Sequence, residues 1–303
     1  MYEMIIIGGG PAGLTAAVYA ARKKLDALLL SKDLGGQPLT TMGIENYMGY
    51  QFVEGTELMQ KFEEQVKQFP IEVKTGDGAV SISQLDGGFE VRTEKGEAYQ
   101  GKTAIIATGK RPRPLNVPGE EQFKGRGVTY CAICDGPLFS GMKVAVIGGG
   151  NSALEAADDM VKIGEHVYLV SLTPLTGDQV LIDKVKAAAN LTIFTEHETL
   201  EILGDNFVSG IKVKDLKSGE VKNLEVGGVF VEIGLIPNSD LAKGLVNLNK
   251  WGEIEVNCSC ETGIPGLYAA GDVTNVPEKQ IVVAAGEGAK AALQAHRYLQ
   301  RLG

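Results

Sequence analysis

Met4-Ile5-Ile6-Ile7-Gly8-Gly9-Gly10-Pro11-Ala12-Gly13 decides the fold. Four consecutive apolar residues read as a strand buried on both faces, and the glycines that follow end it in a tight turn. Pro11 suits the first position of a helix, where its missing N–H costs nothing. The helical pattern runs to about Lys23, and Ala27–Leu30 reads as the next strand. Strand, G-x-G-x-x-G and helix in that order form a dinucleotide-binding unit. Gly8 permits the turn, Gly10 lets a pyrophosphate approach the backbone, and Gly13 brings helix and strand close. The anion would rest on the helix N-terminus beside Pro11 and Ala12.

The unit recurs about 140 residues later. Lys143–Ile147 reads as a strand, then Gly148-Gly149-Gly150-Asn151-Ser152-Ala153, a helix to about Ile163, and the strand His166–Val170. Ala153 stands at the third glycine position, an accepted variant. Two such loops imply two dinucleotides or one duplication; a flavin enzyme fed by a nicotinamide needs both. Between them lies Cys131-Ala132-Ile133-Cys134-Asp135-Gly136-Pro137, a dithiol followed by a carboxylate. Beside βαβ units such a pair reads as redox or metal-binding rather than as a staple.

Ile71–Val73, Phe89–Thr93 and Ala98–Lys102 read as a small antiparallel insertion, and Thr103–Ile106 as a buried strand ending in Ala107-Thr108-Gly109. The prolines of Lys110-Arg111-Pro112-Arg113-Pro114 break regular structure and predict a crossover. Gly234-Leu235-Ile236-Pro237-Asn238 predicts the return. The expected class is α/β with two Rossmann-like domains, the second inserted into the first: residues 1–113 with 239–303, and 114–238. After the return, a strand runs into Gly271-Asp272 and a helix spans about Gln280–Leu299. Asp272, at a strand's C-terminal end, sits where open α/β sheets bind ligands.

The 303 residues carry a net charge of −9, which argues against nucleic acid or anionic membrane as a main partner. No apolar run approaches the ~18 residues of a membrane span, and the first apolar stretch reads as a strand rather than a leader. The four cysteines are too few for a disulfide scaffold, so a cytoplasmic protein is expected.

The order Gly8…Gly13, Gly35-Gly36-Gln37, Ala107-Thr108-Gly109, Cys131-x-x-Cys134-Asp135-Gly136, Gly148-x-Gly150-x-x-Ala153, Gly271-Asp272 resembles the low-molecular-weight thioredoxin reductases over essentially the whole chain. Val276–Ile281 and Ala285–Lys290 are also similar to the reductase half of the alkyl hydroperoxide reductase flavoprotein. The resemblance implies FAD held by the first loop, Ser31, Gly35, Gly36, Gln37, Asn46, Ala107, Thr108, Gly109, Gly271, Asp272, Gln280 and Ile281. A nicotinamide would lie on Gly148, Gly150, Asn151, Ser152, Ala153 and Ser171. It further implies that Cys134 faces the flavin, Cys131 attacks a thioredoxin-like partner, Asp135 moves the proton, the inserted domain swings, and the chain is a homodimer.

One departure bears on the donor. NADPH-preferring relatives carry arginines just after the second strand of the nicotinamide unit. Here that place reads Ser171-Leu172-Thr173-Pro174-Leu175-Thr176, with no lysine or arginine from Ile163 through Asp183. A 2′-phosphate without a cation binds poorly, so NADH is expected ahead of NADPH, with ferredoxin or another donor as the alternative. A peroxiredoxin system is the alternative destination.

Competing readings attach to single features. Zinc on Cys131, Cys134, Cys258 and Cys260 is allowed by geometry, since Cys258-Ser259-Cys260 reads as strand-like with both cysteines on one face, but C-x-C is a poor zinc spacing, and ordinary burial is expected of Cys258 and Cys260. A flavin-binding redox sensor would use the same residues without turnover. His166, His197 and His296 read as surface or capping residues, and Tyr47 and Trp251 as core, with contact to the flavin as the alternative. Lys110, Arg111, Arg113, Lys124 and Arg126 read as a solvated basic face, with docking of an acidic thioredoxin or ferredoxin as the alternative.

Overall fold

The computed structural model describes residues 1–40 and 43–302; Thr41, Met42 and Gly303 lie outside the described residues. β1 (Tyr2–Gly9) runs into α1 (Pro11–Arg22) and β2 (Ala27–Leu34). A 3-10 turn (Gln37–Thr40) and α2 (Gly55–Lys67) lead to β3 (Glu72–Lys74), β4 (Ala79–Leu85), β5 (Gly88–Thr93) and β6 (Ala98–Ile106). After β7 (Lys110–Pro112) come β8 (Val128–Thr129), α3 (Ala132–Asp135), β9 (Lys143–Ile147), α4 (Asn151–Ile163), β10 (His166–Ser171), α5 (Gln179–Lys186) and β11 (Leu191–Thr195). Then follow β12 (His197–Gly204), β13 (Val208–Asp215), β14 (Val221–Glu225), β15 (Gly228–Val231), β16 (Leu235–Pro237), β17 (Leu267–Ala269) and α6 (Ile281–Leu302).

These strands make two Rossmann-like sheets. One has the order β3-β2-β1-β6-β5-β4 with β17 beside β6, and the other the order β11-β10-β9-β15-β8. β1 is parallel to both neighbours, with Ile5 opposite Leu28 and Ala104, and β9 lies parallel between β10 and β15. Met4, Ile5 and Ile6 are wholly buried, as an unbroken apolar run in a strand covered on both faces should be. β12, β13 and β14 form a separate antiparallel sheet.

Several expectations need correction. Ala98–Lys102 is not a separate strand: it continues through Ile106 as β6, whose first half pairs antiparallel with β5 and whose second half pairs parallel with β1. β3 pairs parallel with β2 at the sheet edge rather than joining an antiparallel insertion. The crossover is more regular than its prolines suggest, because Lys110–Pro112 and Leu235–Pro237 pair as a two-stranded ribbon, Pro112 opposite Leu235. Proline is tolerated at such edges. Cys258–Cys260 is a turn, not a strand, with Cys260 at φ 63°. Trp251 is exposed rather than core, with the Lys250 ammonium over its ring.

The basic residues do not form one face. Lys110 is buried with Glu253, which also accepts from Asn249 at 2.6 Å and lies 3.3 Å from Lys279. Arg111 donates to the Asn238 carboxamide and Lys124 lies over the Tyr130 ring. Replacing Lys110 by methionine strands a buried carboxylate that Lys279 only partly compensates, so we expect a loss of about 2–3 kcal/mol. The same change at Lys212, whose pair with Glu201 is more exposed, should cost under ~1 kcal/mol. Urea denaturation of the two variants checks the difference.

Candidate functional site

Each nucleotide loop is built by glycines that serve different ends. A Cβ on Gly13 would stand 1.8 Å from the Gly8 carbonyl oxygen, which is how α1 packs against the turn after β1. Gly10 has φ −79° and nothing within 4 Å of the place its Cβ would occupy. The second loop repeats this arrangement: a Cβ on Gly148 would meet the Glu232 carbonyl at 2.3 Å and Ala153 at 2.8 Å, while Gly150 faces open space. Neither α1 nor α4 has a side-chain N-cap. Their free first-turn N–H groups and positive dipole end point at the cradle, a ready anion site.

The remaining residues expected around the first loop gather there. Gly36 lies across from Gly10, where its Cβ would be 3.3 Å from the Gly10 Cα, and Gly35 donates to the Gly9 carbonyl. Gln37 opens the 3-10 turn. Asn46 donates to Gln280, the residue before Ile281 and the start of α6. Ala107 extends β6 by donating to Ile7, and the Thr108 hydroxyl donates to the Asn238 carbonyl, tying the site to the crossover. Gly271 donates to the Glu287 carboxylate. Burial pushes the Asp272 carboxyl up to about 6, against the pull of Lys279 and Lys110. Gly288 lets α6 cross α1, since a Cβ there would sit 2.0 Å from the Ala12 carbonyl.

Ser31 and Ser171 are loop supports. Ser31 accepts the Gly9 N–H at 2.8 Å, and the Ser171 hydroxyl lies directly beneath Gly149, where a Cβ would be 2.2 Å away. Both are buried. Asn151 turns toward α5, donating to Asp178 and accepting its backbone N–H.

A cavity of about 560 Å³ opens over the second loop, lined by Gly148–Ser152, Val170–Thr173, His197–Thr199, Glu232–Gly234, Arg113 and Leu115. Arg113 is the one lysine or arginine among its described lining residues, against two glutamates. Sequence reasoning missed Glu198, Thr199 and Glu232, and met Asn238 only as the end of the return segment. Only Glu232 carried a signal, a charge directly after the buried Val229-Phe230-Val231.

Cys131 and Cys134 form a disulfide. The Cys134 N–H donates to the Cys131 sulfur at 3.3 Å across α3. Asp135 is 1% exposed and accepts from the Thr129 hydroxyl, which in turn accepts the Cys131 N–H. Ile133, between the cysteines, is exposed. The segment after the disulfide reaches the first sheet's side of the molecule: a methyl on Gly43 would be 3.6 Å from Leu138. Cys258 is exposed and Cys260 buried. Burial raises the Cys260 thiol to about 11, so it is chemically quiet. Among the described residues no group of three His, Cys, Asp or Glu side chains is placed to hold a metal, and no helix is long and apolar enough to cross a membrane.

Of the other residues weighed from sequence, His166 shares a hydrogen bond with Thr192 and His197 lines the cavity. His296 keeps a buried Nδ1 without a hydrogen-bond partner among the described residues. Tyr47 packs edge-on against Phe62.

Two nucleotide-type sheets sharing one chain with a Cys-x-x-Cys disulfide define the class of two-nucleotide disulfide oxidoreductases. The chain belongs to the pyridine nucleotide-disulphide oxidoreductase family, which it matches over residues 2–288. It is 44% identical over 305 residues to the F subunit of the alkyl hydroperoxide reductase of Escherichia coli K12, covering 99% of this chain and 58% of that protein. It is also 44% identical over 301 residues to an NADH dehydrogenase of Bacillus subtilis 168, covering 99% and 59%. The chain thus spans under two thirds of the length of these relatives. Thioredoxin reductase from Streptococcus pyogenes MGAS5005 superposes with a TM-score of 0.93 at 37% identity, covering 99% of both chains. Membership implies FAD and a pyridine nucleotide, and the two open glycine cradles fit them.

Proposed function

We propose that the chain is an FAD-dependent protein-disulfide reductase of the thioredoxin reductase type. It takes electrons from NADH in preference to NADPH and passes them through Cys131–Cys134 to thioredoxin or a thioredoxin-like protein. The observation that carries this reading is the buried Thr129–Asp135 arrangement behind a disulfide beside which Ile133 is exposed. When bound, FAD links the hydride chemistry of a nicotinamide to the two-electron chemistry of a disulfide. Cys134 is the cysteine read as facing it.

Once the disulfide is opened, Cys131 must be a thiolate to attack a partner disulfide, and the Cys134 N–H already aimed at its sulfur favours that form. Cys131 attacks the partner disulfide: a Cys131–partner bond forms as the partner S–S bond breaks and its first sulfur leaves as a thiolate. Cys134 then attacks Cys131, re-forming the Cys131–Cys134 disulfide and releasing the second partner sulfur, and we read Asp135 as the group that moves protons to the departing sulfurs. Asp135→Asn should slow partner reduction about 100-fold without preventing disulfide formation, as stopped-flow and thiol titration would show.

NADH is favoured because the cavity wall sets two glutamates against a single arginine, an unfavourable seat for a 2′-phosphate dianion. Ferredoxin or another donor remains the alternative. The likeness to the alkyl hydroperoxide reductase protein of Escherichia coli favours, as a second destination, the thioredoxin-like module of a peroxiredoxin system. The reading includes residues 114–238 moving as a body about the β7–β16 ribbon, a homodimer, and a cytoplasmic setting. The test is anaerobic mixing of the flavin-loaded protein with NADH and with NADPH while following the flavin absorbance. Faster bleaching by NADH is expected. If neither nucleotide bleaches the flavin while dithionite does, the pyridine nucleotide reading is wrong.

A further inference from the structure

Glu232 stands where two parts of the molecule meet. It follows β15, the strand beside β9, and its carbonyl oxygen abuts Gly148, the first glycine of the second loop. Glu232 is among the residues that line the cavity. Its carboxylate accepts the backbone N–H of Ala132, the residue after Cys131, at 3.4 Å. One residue therefore borders both the space read as the nucleotide site and the turn that holds the disulfide.

We propose that Glu232 is a positioning residue that couples occupancy of the nucleotide cavity to the reactivity of the Cys131–Cys134 disulfide. The inference rests on the cavity being a pyridine nucleotide site. A pyrophosphate seated on the Gly148–Gly150 loop brings negative charge to the residue whose carbonyl abuts that loop, and like charges disfavour the ionised form of its carboxyl. The carboxyl is poised to respond: burial raises it to about 7, and Glu155 on α4 adds to the rise while the Ala132 N–H opposes it. Arg113 from the crossover, and His197 and Glu198 on β12, share the same cavity wall, and buried Asp135 lies in the disulfide turn. A neutral acid accepts the Ala132 N–H about half as strongly as a carboxylate does, so the turn carrying both cysteines is held less firmly when the cavity is full. At equilibrium such coupling is reciprocal, so to the extent that nucleotide shifts the disulfide–dithiol balance, opening the disulfide changes nucleotide affinity.

The test uses the full chain with its flavin bound, and NAD⁺ and NADP⁺ as probes that deliver no electrons. Equilibrium dialysis first gives the affinity of each protein for each nucleotide. The rate at which dithiothreitol opens the Cys131–Cys134 disulfide is then followed by thiol titration, with and without saturating nucleotide. In the native protein nucleotide should change that rate about fivefold, the lower end of ordinary coupling. In Glu232→Gln, which keeps an acceptor but cannot ionise, the effect should vanish at nucleotide concentrations that saturate the variant. Restoring the acid with Glu232→Asp should recover part of it. An equal nucleotide effect in Glu232→Gln, or none in the native protein despite measured binding, overturns the coupling alone. Absence of binding by either nucleotide overturns the nucleotide reading and the coupling with it.

Discussion

Cys131→Ser and Cys134→Ser are each expected to abolish reduction of a thioredoxin-like substrate, by about 10³-fold or more, while the protein stays folded and yellow. Neither single serine variant can form the dithiol–disulfide pair, so no intramolecular displacement can release the partner. Loss of a structural staple does not explain such an effect. The two cysteines are three residues apart, and closing so short a loop contributes only about 2 kcal/mol by chain entropy. The residues gathered around the first glycine loop lie outside this turn, so cofactor content should not follow activity down. Absorbance spectra and turnover with a thioredoxin, measured on one preparation, separate the two. If either variant retained more than a tenth of native turnover, the dithiol assignment would fail.

Gly10→Ala and Gly150→Ala should divide the two cofactor sites between them. Gly10 has φ −79° and Gly150 φ −92°, both open to alanine, and no atom of the described residues lies within 4 Å of either new methyl. The fold therefore tolerates both. On the proposed reading, the methyl instead occupies the space in which a pyrophosphate would meet the helix N-terminus. Crowding of this kind costs about 1–3 kcal/mol, or roughly 10- to 100-fold in affinity. Gly10→Ala should purify depleted of FAD. Gly150→Ala should keep FAD and lose affinity for NADH. Gly13→Val is the contrast, because its side chain would drive into the Gly8 backbone and should compromise the fold itself. Retention of native FAD affinity by Gly10→Ala would mean that the first loop is not the cradle.

The loops were legible in sequence because their chemistry is local: strand, glycine spacing and helix follow one another within a few residues. The Cys-x-x-Cys-Asp run was legible for the same reason. What escaped was set by pairing between distant segments. β6 reads as two pieces because Gly101 and Thr103 interrupt its apolar pattern, yet β1 and β5 hold it as one strand. Lys110 reads as a surface cation until Glu253, 143 residues away, is found beside it. Ser171 sits at the expected strand end, but its hydroxyl is turned under Gly149. The cavity's acidic character comes from β12 and from the end of β15, which no spacing rule connects to the glycine loop.

The ribbon formed by β7 and β16 has a consequence for how such a molecule can be rebuilt. The chain leaves at Pro112 and returns at Leu235 on the facing strand, and facing residues of an antiparallel pair are only about 5 Å apart. A two-residue hairpin joining them would excise everything between without stretching what is left. A gene segment bounded at these two points is therefore portable: it can be exchanged for another with equally close ends, leaving the remaining half's chain path intact. On the proposed assignment of the two glycine loops, donor choice and flavin chemistry can in this way be inherited separately, although one continuous chain carries both.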